Sequence, residues 1–318
     1  MAVTLNTFRD ARRRIAPYIL GTPLLRLPAL DSPLGCKVYV KAECLQITGA
    51  FKLRGAMNKL LSLPAEQLAR GVCAASSGNH GRALAYGAKQ LGTSAVIVIP
   101  RTAPEIKIEG IRALGAEVVL SDADARFAVA ETISQERGMT IVPPYDDEAI
   151  MAGQGTLGLE IMEECPEMDM VITPVSGGGL LSGTAAAVKG VSPRTRVFGA
   201  EPDALPRYSE SLAVGRRVTV ERHESVADAL VSVTPGEHCF PCVQQYADGV
   251  APVSDEYLLK GMRLLLTEGK LLGEPSACTG LGAVLQKRIA VKPDERVCFV
   301  ISGGNTSLAQ VNALTKIN

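Results

Sequence analysis

DMVITPVSGGGLLSG, residues 169–183, begins as a run of β-branched and apolar side chains, then passes through three consecutive glycines into a small-residue helical pattern that continues to Gly190. Strand, glycine turn and helix make up the repeating unit of an open α/β sheet, whose parallel strands deliver their following loops to one rim. The unit recurs upstream. GVCAAS (71–76) leads into GNHGRALAYGAKQLG (78–92), SAVIVIP (94–100) into PEIKIEGIRALG (104–115), and AEVVLSD (116–122) into ADARFAVAETISQERG (123–138). It recurs downstream in TRVFGAEP (195–202) and, after helical patterns over 256–291, in RVCFVISGG (296–304). With CKVYVKAE (36–43) as a further strand, the pattern predicts an α/β fold of two open, mostly parallel twisted sheets with helices on both faces. The expected division is a discontinuous large domain, 1–68 and 147–318, and a small domain, 69–146. The chain ends soon after RVCFVISGG, so no added regulatory domain is expected.

Composition narrows the function. The 318 residues are 47% hydrophobic and 21% charged, enough for a sizeable core in two lobes. Lysine plus arginine equals aspartate plus glutamate at 33 each, which argues against nucleic acid or a membrane surface and for a small neutral or zwitterionic ligand. MAVTLNTFRDARRRIAP lacks the apolar run of a signal peptide, and no segment reaches the roughly 18 apolar residues of a membrane span, so a cytoplasmic location is expected. Eight unevenly spaced cysteines read as reduced core residues. HCFPC (238–242) carries a CxxC but no second ligand pair, and reads as a proline-containing loop leading into a helix rather than a metal site. Only three histidines occur, which leaves little for a histidine metal centre or triad.

Three loops combine glycine with small hydroxyls: SSGNHG (76–81), SGGGLLSG (176–183) and SGGNTS (302–307). Glycine lets backbone N–H groups face a ligand, and a following helix adds the positive end of its dipole. SGGGLLSG is the phosphate candidate through Ser176, Gly177, Gly178, Gly179 and Leu180; close packing alone is the other reading of such a turn. It has neither the lysine of a Walker loop nor the GxGxxG spacing. SSGNHG suits a carboxylate, with His80 either facing the ligand or serving the helix start. Lys52, in TGAFKLRG (48–55), follows a largely uncharged stretch in which desolvation would lower the amine pKa. By itself it reads more readily as a packed stem with an exposed amine. A reactive lysine together with a phosphate cup is what pyridoxal phosphate requires.

In this combination and order the motifs resemble the fold-type II, tryptophan synthase β-like, pyridoxal-phosphate-dependent serine/threonine dehydratases and serine racemases, over nearly the whole chain. TGAFKLRGA resembles their cofactor-lysine segment, SSGNHG their substrate-carboxylate loop, SGGGLLSG their phosphate loop, and GEPSA with SGGN their late cofactor segments. The resemblance implies Lys52 as Schiff-base lysine and α-proton base, with Phe51 beside the cofactor ring. It implies Gly177, Gly178, Gly179 and Leu180 on the phosphate, Ser302 at the pyridine nitrogen, Asn79 at the phenolic oxygen and Glu274 near the cofactor. Ser76, Ser77, Asn79 and His80 would hold the substrate carboxylate. The implied reaction is elimination of water from a β-hydroxy amino acid such as L-serine or L-threonine, giving a 2-oxo acid and ammonia. The small domain would be mobile and the enzyme a homodimer or higher oligomer.

Four positions qualify the resemblance. Ser77 matches the serine that protonates the opposite face in racemases, so racemisation with Lys52 and Ser77 as a two-face pair is an alternative. Arg126 matches an arginine that can approach a distal carboxylate, which adds 3-hydroxyaspartate as a substrate candidate. In GAEPDALPRY (199–208), Glu201 matches a cation ligand of metal-activated members, but Arg207 stands where a second acid is expected, so no strong divalent-cation dependence is expected. SVADAL (225–230) has Ala229 in place of a usual glycine, which leaves specificity open. GNHG, rather than GNTG, speaks against a β-replacement synthase, and intact Lys52, Ser77, Asn79 and Ser302 speak against a cofactor-binding protein without activity.

Overall fold

The computed structural model describes residues 4–76, 78–103 and 105–314. Among the described residues there are ten strands: β1 (Leu24–Arg26), β2 (Lys37–Lys41), β3 (Val72–Ala75), β4 (Ala95–Pro100), β5 (Glu117–Ser121), β6 (Thr140–Ile141), β7 (Met170–Pro174), β8 (Arg196–Pro202), β9 (Gly249–Val253) and β10 (Arg296–Val300). They form a six-stranded sheet in the order β1-β2-β10-β7-β8-β9 and a four-stranded sheet in the order β5-β4-β3-β6. Every pairing is parallel except β1 with β2 at the edge of the larger sheet. Helices cover both faces, which is why β3 and β7 are buried along their whole length and read as continuous apolar runs rather than alternating ones. The two-sheet α/β architecture agrees with the sequence reading.

β1, β6 and β9 were not legible from periodicity, because two are only two or three residues long and GVAPV carries a proline. HCFPC differs from its reading as a loop. The helix Cys239–Tyr246 starts inside it, and Pro241 falls in the first turn, where a missing N–H breaks no intrahelical bond. Both cysteines are buried and unbridged.

The helix Glu148–Glu164 positions the site. Glycines at its two contacts let other helices approach backbone to backbone: a Cβ on its Gly153 would lie 2.5 Å from the Arg54 carbonyl oxygen, and one on Gly183 of the helix Gly179–Val191 would lie 2.3 Å from the carbonyl oxygen of its Met151. The helix Lys52–Leu60 and the helix Gly179–Val191 therefore dock on the same support. A buried ionic cluster fixes the first of them. Arg54, fully buried, donates to Glu43 (2.8 and 2.9 Å), to Glu160 (2.6 and 2.7 Å) and to Thr156 (3.1 Å), while Lys41 reaches Glu160 at 2.9 Å. Burial opposes the Arg54 charge, and the two carboxylates more than offset it, so its pKa is raised.

Candidate active site

The loops after β3, β7 and β10 meet over one cavity of about 260 Å³. Phe51 and Lys52 line it, with Ser76, Asn79, His80, Gly177, Gly178, Gly179, Leu180, Glu274 and Ser302. Residues more than 200 positions apart in the chain thus share one site. Arg126 also lines the cavity; it is buried rather than a surface residue. Ser77 lies outside the described residues.

Lys52 is the first residue of its helix, and its Nζ donates to the Pro144 carbonyl. Burial is the main cause that pushes its pKa down to about 8, with Glu274 acting in the opposite sense. Near neutral pH about a tenth of the amine is therefore uncharged and nucleophilic, far more than for an ordinary lysine.

Ser76 Oγ accepts from the N–H groups of Gly78 (3.0 Å) and Gly81 (2.8 Å), which ties the loop to the start of the helix Asn79–Gln90. Its own proton is left to donate into the cavity. His80 Nε2 lies 2.9 Å from the Val142 carbonyl oxygen and so carries a proton; burial pushes its pKa down to about 3, keeping the ring neutral. That bond spends its single ring proton, so the side chain braces the loop against Val142 and adds no positive charge to it. Asn79 Nδ2 donates to Glu274 Oε1 at 2.6 Å, and its Oδ1 accepts from Asn305 at 2.9 Å. The other oxygen of Glu274 is buried with no partner, and burial raises that carboxyl to about 7. An orphaned oxygen of this kind marks a place where a ligand group belongs.

The glycines after β7 leave no room for side chains. A Cβ on Gly177 would meet the Tyr145 ring at 2.4 Å, and one on Gly178, whose φ is +110°, would meet Tyr208 Oη at 1.9 Å. Their backbone N–H groups stand at the start of the helix Gly179–Val191, as an oxyanion cradle requires. Buried Ser302 accepts the Phe51 N–H on its carbonyl (2.9 Å), and none of the described residues takes its hydroxyl.

The family model for pyridoxal-phosphate dependent enzymes matches residues 15–303. The chain belongs to this family. Among relatives of these pyridoxal-phosphate dependent enzymes, L-threonine ammonia-lyase of Thermotoga maritima is 38% identical, over 98% of this chain and 78% of the relative. L-threo-3-hydroxyaspartate ammonia-lyase of Saccharomyces cerevisiae is 37% identical, over 98% and 96%. The solved structure of maize serine racemase superposes with a TM-score of 0.94 at 36% identity, covering 99% of this chain and 98% of that one. The residues present fit the family's cofactor: a buried amine of depressed pKa, glycine amides at a helix start, and a carboxyl with an unpartnered oxygen, all on residues that line one cavity.

Several lining residues escaped the sequence reading. Tyr145 walls the glycine cradle, with Oη 2.9 Å from Ser232 Oγ. Arg222 lines the cavity near Arg126 and lies 3.6 Å from Asp124. Lys107, in the segment of the small sheet, pairs with Asp228 in the SVADAL segment at 2.7 Å. None of these had a motif to announce it, because each is brought in by tertiary contact alone. Glu201 is where the cation-ligand reading put a carboxylate, but its oxygens accept from the N–H groups of Tyr208 (3.0 Å) and Ser209 (2.7 Å), with Arg207 at 3.7 Å. Among the described residues no cluster of three or more metal-ligating side chains forms, and no helix is long and apolar enough to cross a membrane.

Proposed function

We propose that the protein is an ammonia-lyase that eliminates water from a β-hydroxy amino acid, giving a 2-oxo acid and ammonia. The observation that carries this reading is the opening of Lys52 Nζ and the Gly177–Gly179 cradle onto one cavity that is also lined by the carboxylate-type loop 76–81. Pyridoxal phosphate, held by Lys52 and by the amides of Gly177, Gly178, Gly179 and Leu180, supplies the electron sink that acidifies the substrate's α-proton. Lys52 Nζ takes that proton, since its lowered pKa brings the free base within reach near neutrality. Ser76 and the helix-start N–H groups orient the substrate carboxylate, and neutral His80 supports them without fixing a charge there. Asn79, held between Glu274 and Asn305, would meet the cofactor's ring oxygen, and Ser302 would offer its uncharged hydroxyl to the ring nitrogen. Segment 69–146 acts as the closing lobe, with the Lys107–Asp228 pair as a clasp.

One observation favours a dicarboxylic substrate. Arg126 is buried, lines the cavity, and pairs with no carboxylate among the described residues; it donates to the Ala123 carbonyl and lies 4.7 Å from the Phe127 ring centre. A buried guanidinium without a counter-ion is costly unless a ligand supplies one. 3-Hydroxyaspartate would do so with its distal carboxylate. The test is a panel of L-serine, L-threonine and the 3-hydroxyaspartate isomers on cofactor-loaded enzyme, reading 2-oxo acid, ammonia and enantiomer together. Equimolar oxo acid and ammonia are expected. Turnover of no β-hydroxy amino acid would refute the reading, and enantiomer formation outpacing oxo acid would replace it by racemisation.

A further inference from the structure

Behind the glycine cradle, on the side away from the cavity, the helix Arg207–Val214 begins with an arginine and a tyrosine whose side chains are both fully buried. Arg207 Nη2 donates to the Val175 carbonyl at 2.7 Å and Nε to the Ser176 carbonyl at 3.3 Å, while Nη1 holds Leu205 O at 2.7 Å. Tyr208 Oη donates to the next carbonyl, that of Gly177, at 3.0 Å, and the Gly236 N–H reaches the same oxygen at 2.9 Å. Three successive carbonyls are thus pulled in one direction. In a trans peptide the C=O of one residue and the N–H of the next point oppositely, and no peptide of the described chain is cis. Holding the oxygens of Val175, Ser176 and Gly177 from behind turns the N–H groups of Ser176, Gly177 and Gly178 forward, toward the cavity that all three residues line.

We propose that Arg207 and Tyr208 are positioning residues that aim the phosphate-binding amides of the cradle. The inference rests on the cradle holding the cofactor phosphate, as proposed above. A guanidinium suits the task because its rigid fork spans separate carbonyls at once, where an ammonium would make a single compact contact. Glu201 completes the device. It neutralises Arg207 from 3.7 Å and anchors the start of the helix by accepting from the N–H groups of Tyr208 and Ser209.

The test compares the affinity of apoenzyme for pyridoxal phosphate and for pyridoxal, which lacks the phosphate, by absorbance titration. Tyr208→Phe deletes one hydroxyl and leaves the Gly236 bond to the same carbonyl, so folding should survive. It should weaken pyridoxal phosphate about three- to tenfold, the worth of one hydrogen bond, with pyridoxal unchanged. Arg207→Lys should weaken the phosphorylated form more than tenfold, again leaving pyridoxal alone. Equal losses for both compounds, or no loss for either, would overturn the positioning role. Wild-type enzyme that binds pyridoxal as tightly as pyridoxal phosphate would instead remove the phosphate-cradle reading itself, and with it this inference.

Discussion

Replacing Glu43 by Gln tests whether the buried cluster under the lysine helix holds the site together. Arg54 spends two of its hydrogen bonds on the Glu43 carboxylate, at 2.8 and 2.9 Å, and neither side chain reaches solvent. Gln keeps the volume but presents an NH₂ group where an oxygen accepted, so one donor of Arg54 faces another donor. Glu160 must then serve Arg54 while also shared with Lys41. Breaking one partner of a buried pair costs about 3–5 kcal/mol, and since Glu160 stays in place the lower end applies, about 3 kcal/mol. That is roughly a hundredfold in the folding equilibrium, and at about 2–4 °C per kcal/mol it lowers Tm by about 6–12 °C. Thermal and guanidinium unfolding of the apoenzyme measure it. Lys260→Gln, which breaks a 2.6 Å pair at the surface, serves as control and should leave Tm unchanged. Because Arg54 lies two residues beyond Lys52, the Glu43 variant should also retain cofactor less well on dialysis. A Tm within 2 °C of wild type would refute the reasoning, since it would mean that desolvation of the pair cancels its attraction.

Arg126→Ala should lower kcat/KM for 3-hydroxyaspartate by about 10–150-fold, the worth of a charge-assisted hydrogen bond of about 1.5–3 kcal/mol, with less than a threefold change for serine; equal losses for both substrates would remove Arg126 from the distal-carboxylate role. Acylation of Lys52 in apoenzyme, followed by peptide mass spectrometry, should be half-maximal near pH 8 instead of 10.5, because burial favours the free base. The same shift means that the folded state binds fewer protons than the unfolded chain between those values, so this group adds stability as pH rises from 8 to 10.5. Adding Mg²⁺ or Ca²⁺ to chelator-treated enzyme should change activity by less than twofold, since a guanidinium already lies beside Glu201; a large activation would contradict this.

The fold was legible where strands are buried on both faces. VCAA, AVIVIP and MVITP are apolar without interruption because helices cover them on either side, and glycine marks the following turns. The short edge strands and GVAPV carried no such signal. In the site, Lys52 and the cradle announced themselves by residue type, but their proximity did not, because it depends on Gly153 and Gly183 letting two helices settle on one support. Arg207 was visible only as a charge in the wrong place for a metal. Its bonds to the carbonyls of Val175 and Ser176 join residues some 30 positions apart through tertiary packing, which periodicity does not encode.

The charge balance of the cavity explains why these pieces belong together. Lys52 is partly uncharged near neutrality, and Glu274, raised to about 7, is partly protonated, so the two groups nearest the chemistry carry little net charge. Lys107 and Asp228 neutralise each other across the lobes. What is left facing inward is positive: Arg126, without a carboxylate among the described residues, and the amide dipoles of the cradle, whose carbonyls Arg207 holds from behind. A cofactor phosphate answers the cradle, a substrate carboxylate answers the loop 76–81, and one further negative charge is needed to answer Arg126. A monocarboxylic substrate leaves that arginine desolvated and unpaired, a cost a second carboxylate relieves. Under the proposed dicarboxylic reading, discrimination is therefore expected by the charge on the substrate's far end more than by the size of its side chain.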